Sequence, residues 1–132
     1  AMVNAAKLGG SALIMDMGMP VIASPKFLNK VKSNALVFEN YKPLDKNDGI
    51  FKLMEGSLST NWSFDWSKIN VPTLIMTGHL DKMFRIPEDI EDLVKKIKNP
   101  ITLELPSCGH LIPLEEPEQF SDHIIKFAKN LN

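Results

Sequence analysis

The stretch from Val71 to Leu131 alternates between two hydrophobic periods, and that alternation restricts the fold more than any other feature. Val71-Pro72-Thr73-Leu74-Ile75-Met76-Thr77-Gly78 is rich in β-branched residues, enters on a proline and leaves on a glycine, as a buried strand does. Pro87 then opens a helix with Glu88, Asp89, Glu91 and Asp92 early and Lys95, Lys96 and Lys98 late, the order that the helix dipole favours. Ile90, Leu93, Val94 and Ile97 recur at helical spacing, so one face is made to cover a sheet. Ile101 to Leu105 reads as the next strand and Pro106 to Pro113 as a loop. Pro117 opens a last helix with Phe120, Ile124, Phe127, Ala128 and Leu131 on its apolar face. Strand, helix, strand, helix in this order predicts an α/β fold of parallel strands joined by right-handed crossovers. Reactive side chains then belong in the loops beyond the carboxyl ends of the strands.

Composition narrows the class further. With 132 residues, 44% of them hydrophobic, the chain suits one domain with a core and not a disordered segment. Its 15 Lys and Arg against 16 Asp and Glu leave a net charge of -1, without the basic excess that nucleic acid or an anionic membrane surface requires. The single cysteine, Cys108, excludes an internal disulfide framework and a cysteine zinc cage. Three histidines without ligand spacing make no metal site, and no cofactor is implied. No apolar run reaches the ~18 residues that span a bilayer, and no basic segment opens a signal peptide. A soluble, cytoplasmic protein is expected.

The first half carries weaker signals. Met2 to Leu8 reads as the end of a helix stopped by Gly9-Gly10. Ala12-Leu13-Ile14-Met15 is expected to be a strand buried on both faces, although periodicity alone does not separate it from buried helix. Met15, Met17 and Met19 alternate at strand spacing and are expected to pack. Ser24-Pro25 caps and opens a helix through Phe27, Leu28, Val31 and Ala35. Pro43 and the polar run Asp45 to Gly49 break the chain before a short helix at Ile50 to Leu58. Asp65 caps a single turn through Lys68.

Two loops leave carboxyl ends of strands with chemistry on them: Gly78-His79-Leu80-Asp81 and Ser107-Cys108-Gly109-His110. Adjacent strands lie about 4.8 Å apart, so Asp81 and His110 can meet at one end of the sheet. A carboxylate beside an imidazole fixes its tautomer and stabilises the imidazolium, the orienting half of a nucleophilic triad. Alternatively, His110 is an ordinary loop histidine and Asp81 a turn residue.

Taken together, the loops resemble the C-terminal portion of the α/β-hydrolase superfamily. Ile69-x-Val71-Pro72-Thr73-Leu74-Ile75-Met76-x-Gly78-x-x-Asp81 is similar to its penultimate strand and acid loop. Leu105-Pro106-x-x-Gly109-His110-x-x-Pro113-x-Glu115-x-Pro117-Glu118-x-Phe120, closing on Ile125-x-Phe127, is similar to its last strand, histidine loop and terminal helix. The resemblance implies a single partial domain over residues 1–132, with a partial parallel sheet of about three strands. Ala12 to Asp16 would be the first of these strands, and residues 19–67 an inserted helical cap. It implies His110 as catalytic base and Asp81 as its acid. Asp16 is the alternative acid, because some members carry it after the earlier strand. Trp62, Phe64 and Trp66 either wall an apolar pocket beneath the cap or pack its return onto the sheet.

The family's nucleophile stands in a Gly-x-Ser-x-Gly elbow, and no such motif occurs here. Gly9-Gly10-Ser11-Ala12 lacks the closing glycine, and Gly56-Ser57-Leu58 and Ser107-Cys108-Gly109 fail the same test. Cys108 reads as a small packed thiol, His79 as a lining residue and His123 as a boundary residue. The chain therefore resembles a hydrolase whose nucleophile half precedes residue 1, although Ala1-Met2 also reads as a tag scar before a natural start. Two classes of function fit. One is the acid–base part of a serine-type hydrolase acting on a small apolar acyl substrate such as an ester, thioester or lactone. The other is a non-catalytic fragment or partner-binding remnant. An exposed edge on Ala12 to Asp16 would make the chain pair with an N-terminal half or self-associate.

Overall fold

Leu74–Gly78 (β1) and Ile101–Leu105 (β2) pair in parallel, in register from Leu74 opposite Ile101 to Gly78 opposite Leu105. They belong to a computed structural model that describes residues 2–35 and 41–131. Residues 36–40, part of the expected cap, lie outside the described residues. Along the chain, α1 (Met2–Ile22), α2 (Pro25–Ala35) and α3 (Gly49–Ser57) precede β1, α4 (Pro87–Lys96) joins the strands, and α5 (Ile112–Glu115) and α6 (Pro117–Lys129) follow β2. The α/β class read from the sequence is the observed one. The chain divides into two compact units, one of Ala1–Pro20 with Leu28–Ser63 and one of Val21–Phe27 with Phe64–Asn132.

The second unit contains the sheet. Alternation along β1 buries Ile75 and Thr77 on one face, while Met76 points to the other. Met76 joins Leu103 and Phe120 around a core of Leu105, Cys108 and Ile112. Pro87 occupies the first turn of α4, Glu88 and Asp89 follow it, and Lys95 and Lys96 close the last turn. Ile97, just past the helix, is buried at 4% exposure. Asn99 then takes a left-handed φ of 49°, which asparagine tolerates because its short side chain bonds locally, and the chain turns into β2. The apolar face expected on α6 is only partly covered. Phe120 and Phe127 are half-buried, whereas Ile124 and Leu131 are exposed.

The first unit corrects the sequence reading. Ala12 to Asp16 is not a strand but part of α1, so the described residues hold two strands and not about three. Gly10 (φ 65°, ψ -155°) does interrupt the helix as expected of a stop, yet helix resumes on its far side. The physical reason lies in the run itself. Ala12, Leu13 and Met15 are strong helix formers and only Ile14 is β-branched, so local preference favours helix. The methionines follow suit: Met19 is buried, but Met15 and Met17 are exposed, contrary to the packing expected at strand spacing. The exposed strand edge expected there is removed with the strand. Ala5, Ala6 and Phe51 are buried in this unit, and the Leu44 amide donates to the Ala6 carbonyl. Asp48 caps α3 by accepting from the Ile50 amide at 2.8 Å.

Candidate functional site

The site begins with two glycines. A Cβ on Gly78, at the end of β1, would stand 2.0 Å from the Gly109 carbonyl oxygen. A Cβ on Gly109 would stand 2.2 Å from the Ile22 carbonyl oxygen. Only glycine lets these backbones approach so closely. The loop after β1 is then drawn along the loop after β2: His79 N–H donates to the Leu105 carbonyl and Leu80 N–H to the Cys108 carbonyl.

This approach brings Asp81 and His110 together. Asp81 Oδ2 accepts from His110 Nδ1 at 2.7 Å. Its other oxygen accepts from the amides of Met83 at 3.0 Å and Phe84 at 2.9 Å. The Asp81 side chain is 5% exposed and that of His110 45%. Burial pushes the Asp81 carboxyl up, but the Phe84 and Met83 amides and His110 outweigh it, and the group lies below its ordinary value. An ionised, acceptor-only carboxylate on Nδ1 makes Nδ1 the donor, and in a neutral ring Nε2 then carries the lone pair. The Phe84 ring packs against the imidazole at 4.7 Å between centroids. A cavity of about 220 Å³ opens beside the pair, with Met76, Phe84, Ile90 and Ile112 supplying apolar walls. The arrangement is an imidazole held against a buried carboxylate that two backbone amides fix in place.

The other candidate residues stand elsewhere. Asp16 lies on α1, not after a strand, and its carboxylate accepts from the Tyr41 hydroxyl. Trp62 is 67% exposed in the first unit, with its indole N–H on the Ser57 carbonyl. Phe64 and Trp66 belong to the second unit and stack on each other at 5.3 Å. The aromatic wall of the cavity is Phe84, which the sequence reading passed over. His79 pairs with Glu104 at 2.6 Å, and Arg85 approaches the same carboxylate at 3.3 Å. His123 is half-buried on α6. Cys108 is fully buried, and burial, with Glu115 and Glu116 nearby, pushes its thiol up to about 11, which makes it a poor nucleophile.

Glu115 also escaped the sequence reading. It was visible as part of the Pro-x-Glu-x-Pro pattern, but its work is done across the fold. Its carboxylate accepts from the amide of Ser24, 91 residues away, and from those of Gly109 and Leu111.

Comparison with known proteins adds a distant relationship. No family model matches the chain. Uncharacterized hydrolase YugF of Bacillus subtilis is 32% identical over 114 residues, which are 77% of this chain and 40% of that protein. The crystal structure of a probable hydrolytic enzyme from Pseudomonas aeruginosa PAO1 is similar at a TM-score of 0.55 and 16% identity, over 89% of this chain and 44% of that one. The chain thus spans less than half the length of either. These likenesses support a hydrolase-like fold at the superfamily level and a general relationship to hydrolases. Among the described residues, no helix is long and apolar enough to cross a membrane.

Proposed function

We propose that this chain supplies the acid–base pair of a serine-type α/β-hydrolase acting on an ester or similar acyl substrate. His110 takes the proton of the nucleophile at Nε2 and returns it to the leaving group, while Asp81 holds the ring and stabilises the imidazolium. The observation that carries this reading is the 2.7 Å contact between His110 Nδ1 and an Asp81 whose second oxygen is committed to two backbone amides. Such a carboxylate cannot rotate away, so the base keeps its tautomer. The apolar walls of the adjoining cavity favour a small, weakly polar acyl group. The nucleophile comes from residues outside these 132, since no Gly-x-Ser-x-Gly occurs in them. In this reading residues 19–67 hold the inserted helical cap, and the N-terminal half is the partner.

Expression with and without the upstream reading frame tests this. The longer product should be labelled by a fluorophosphonate probe, and H110A should slow labelling about 10²- to 10⁴-fold. The 132-residue chain alone should hydrolyse p-nitrophenyl esters no faster than its H110A variant. Saturable turnover by the short chain that disappears in S11A would overturn the assignment of the nucleophile. An unlabelled longer product would overturn the reading as a whole.

A further inference from the structure

Three consecutive amides of the histidine loop are all committed, and two of them to one side chain. Gly109 N–H donates to Glu115 Oε2 at 2.9 Å and Leu111 N–H to Oε1 at 3.1 Å. Between them, His110 N–H donates to the Ile22 carbonyl at 2.6 Å. Glu115 Oε2 accepts a further bond from Ser24 N–H at 2.9 Å, in the same segment as Ile22. The side chain thus ties the loop to that segment and grips it on both sides of His110. Ser24 is 2% exposed and Glu115 9%, so water offers these amides little substitute. An imidazole has only two side-chain torsions. With the Cα of His110 fixed, those two torsions are all that remains to place Nδ1 against Asp81.

From this geometry we infer that Glu115 is a positioning residue, the one that sets the His110 ring against Asp81 and thereby selects its tautomer. The inference deepens the proposed function and rests on its reading of the Asp81–His110 pair. A carboxylate is the group the site needs. Three N–H donors converge on two oxygens, and both must accept. Glutamine has one acceptor oxygen and would turn an NH₂ toward one or two amide donors. Aspartate keeps both acceptors on a shorter stem.

The readout is the tautomer of His110, from its ring ¹⁵N shifts at about pH 9, above the ordinary histidine range. The wild-type chain should hold the Nδ1–H form, whereas an unrestrained imidazole prefers Nε2–H. E115Q should lower the ratio of Nδ1–H to Nε2–H at least tenfold in a chain that keeps its far-UV circular dichroism. E115D should retain more of the Nδ1–H form than E115Q. D81N is the control and should lose that form outright. If D81N changes the tautomer while folded E115Q does not, the inference falls and the proposed pair survives. If D81N leaves the tautomer unchanged, the proposed pair falls and the inference with it. Loss of the folded spectrum in both Glu115 variants would assign the residue to the fold as a whole and overturn the inference equally.

Discussion

Two histidine–carboxylate pairs lie in the second unit at nearly the same distance, and they differ in almost everything else. His110 and Asp81 meet at 2.7 Å, His79 and Glu104 at 2.6 Å. Asp81 is 5% exposed and holds two backbone amides besides the ring, whereas Glu104 is 51% exposed and shares its charge with Arg85. Distance alone would rank the pairs as equals. Burial and the number of committed acceptors separate them, because a buried anion cannot replace a lost partner with water while an exposed one can. His79–Glu104 is a surface contact between a loop and a strand. His110–Asp81 is a constrained unit in which each group dictates the state of the other.

The largest effect expected from this contrast is on stability. Asp81→Ala would strand the imidazole Nδ1–H and the Met83 and Phe84 amides, at a cost of about 3 kcal/mol in urea denaturation. A loss no larger than that of Glu104→Ala would break the comparison. Gly78→Ala comes next, at about 2 kcal/mol, because its Cβ would collide with the Gly109 backbone and drive the two loops apart. If the loops rather than the residues make the site, this substitution should also weaken the His110–Asp81 contact, read as loss of the Nδ1–H form.

The third expectation concerns pH. The Asp81 carboxyl is lowered in the folded chain, so the native state binds this proton less readily than the unfolded one. The stabilisation is therefore full above the unfolded value of about 3.9 and is lost as pH falls through the folded value. The stability difference between wild type and D81N should stay level from about pH 7 to 5 and shrink below about pH 4. A difference that grows on acidification would reverse the sign and refute the assignment. Smallest is Glu104→Gln. Glu104 is also lowered, first by the hydrogen bond from His79, but it is exposed and screened. Its loss should leave the thermal midpoint within measurement error, and about 0.5 M salt should erase any remainder.

How legible these features were in the sequence follows the same division between local and distant causes. β1, α4, β2 and α6 were readable because each carries its own signals: β-branched residues in the strands, Pro at the helix entrances, acid early and base late. Asp81 and His110 were readable because each follows a strand, and parallel pairing brings the ends of neighbouring strands together. Ala12 to Met15 misled because a short apolar run has no period of its own, and its glycine borders suit either element. Phe84 and Glu115 went unread because their partners are set by the loop path: Phe84 against His110, Glu115 against Ser24.

By itself the sequence determined the alternation of strand and helix from Val71 onward, the polarity of the helices and the two loops that bear an acid and a base. These depend on side-chain shape, backbone preference and charge order within a few residues. The tertiary structure decided which of two similar histidine pairs is buried. It also decided that the apolar run near the start is helical, and that a glutamate grips the histidine loop from both sides. Those outcomes depend on solvent exclusion and on amide donors converging from segments far apart in the chain. Neither exists until the backbone has closed around them.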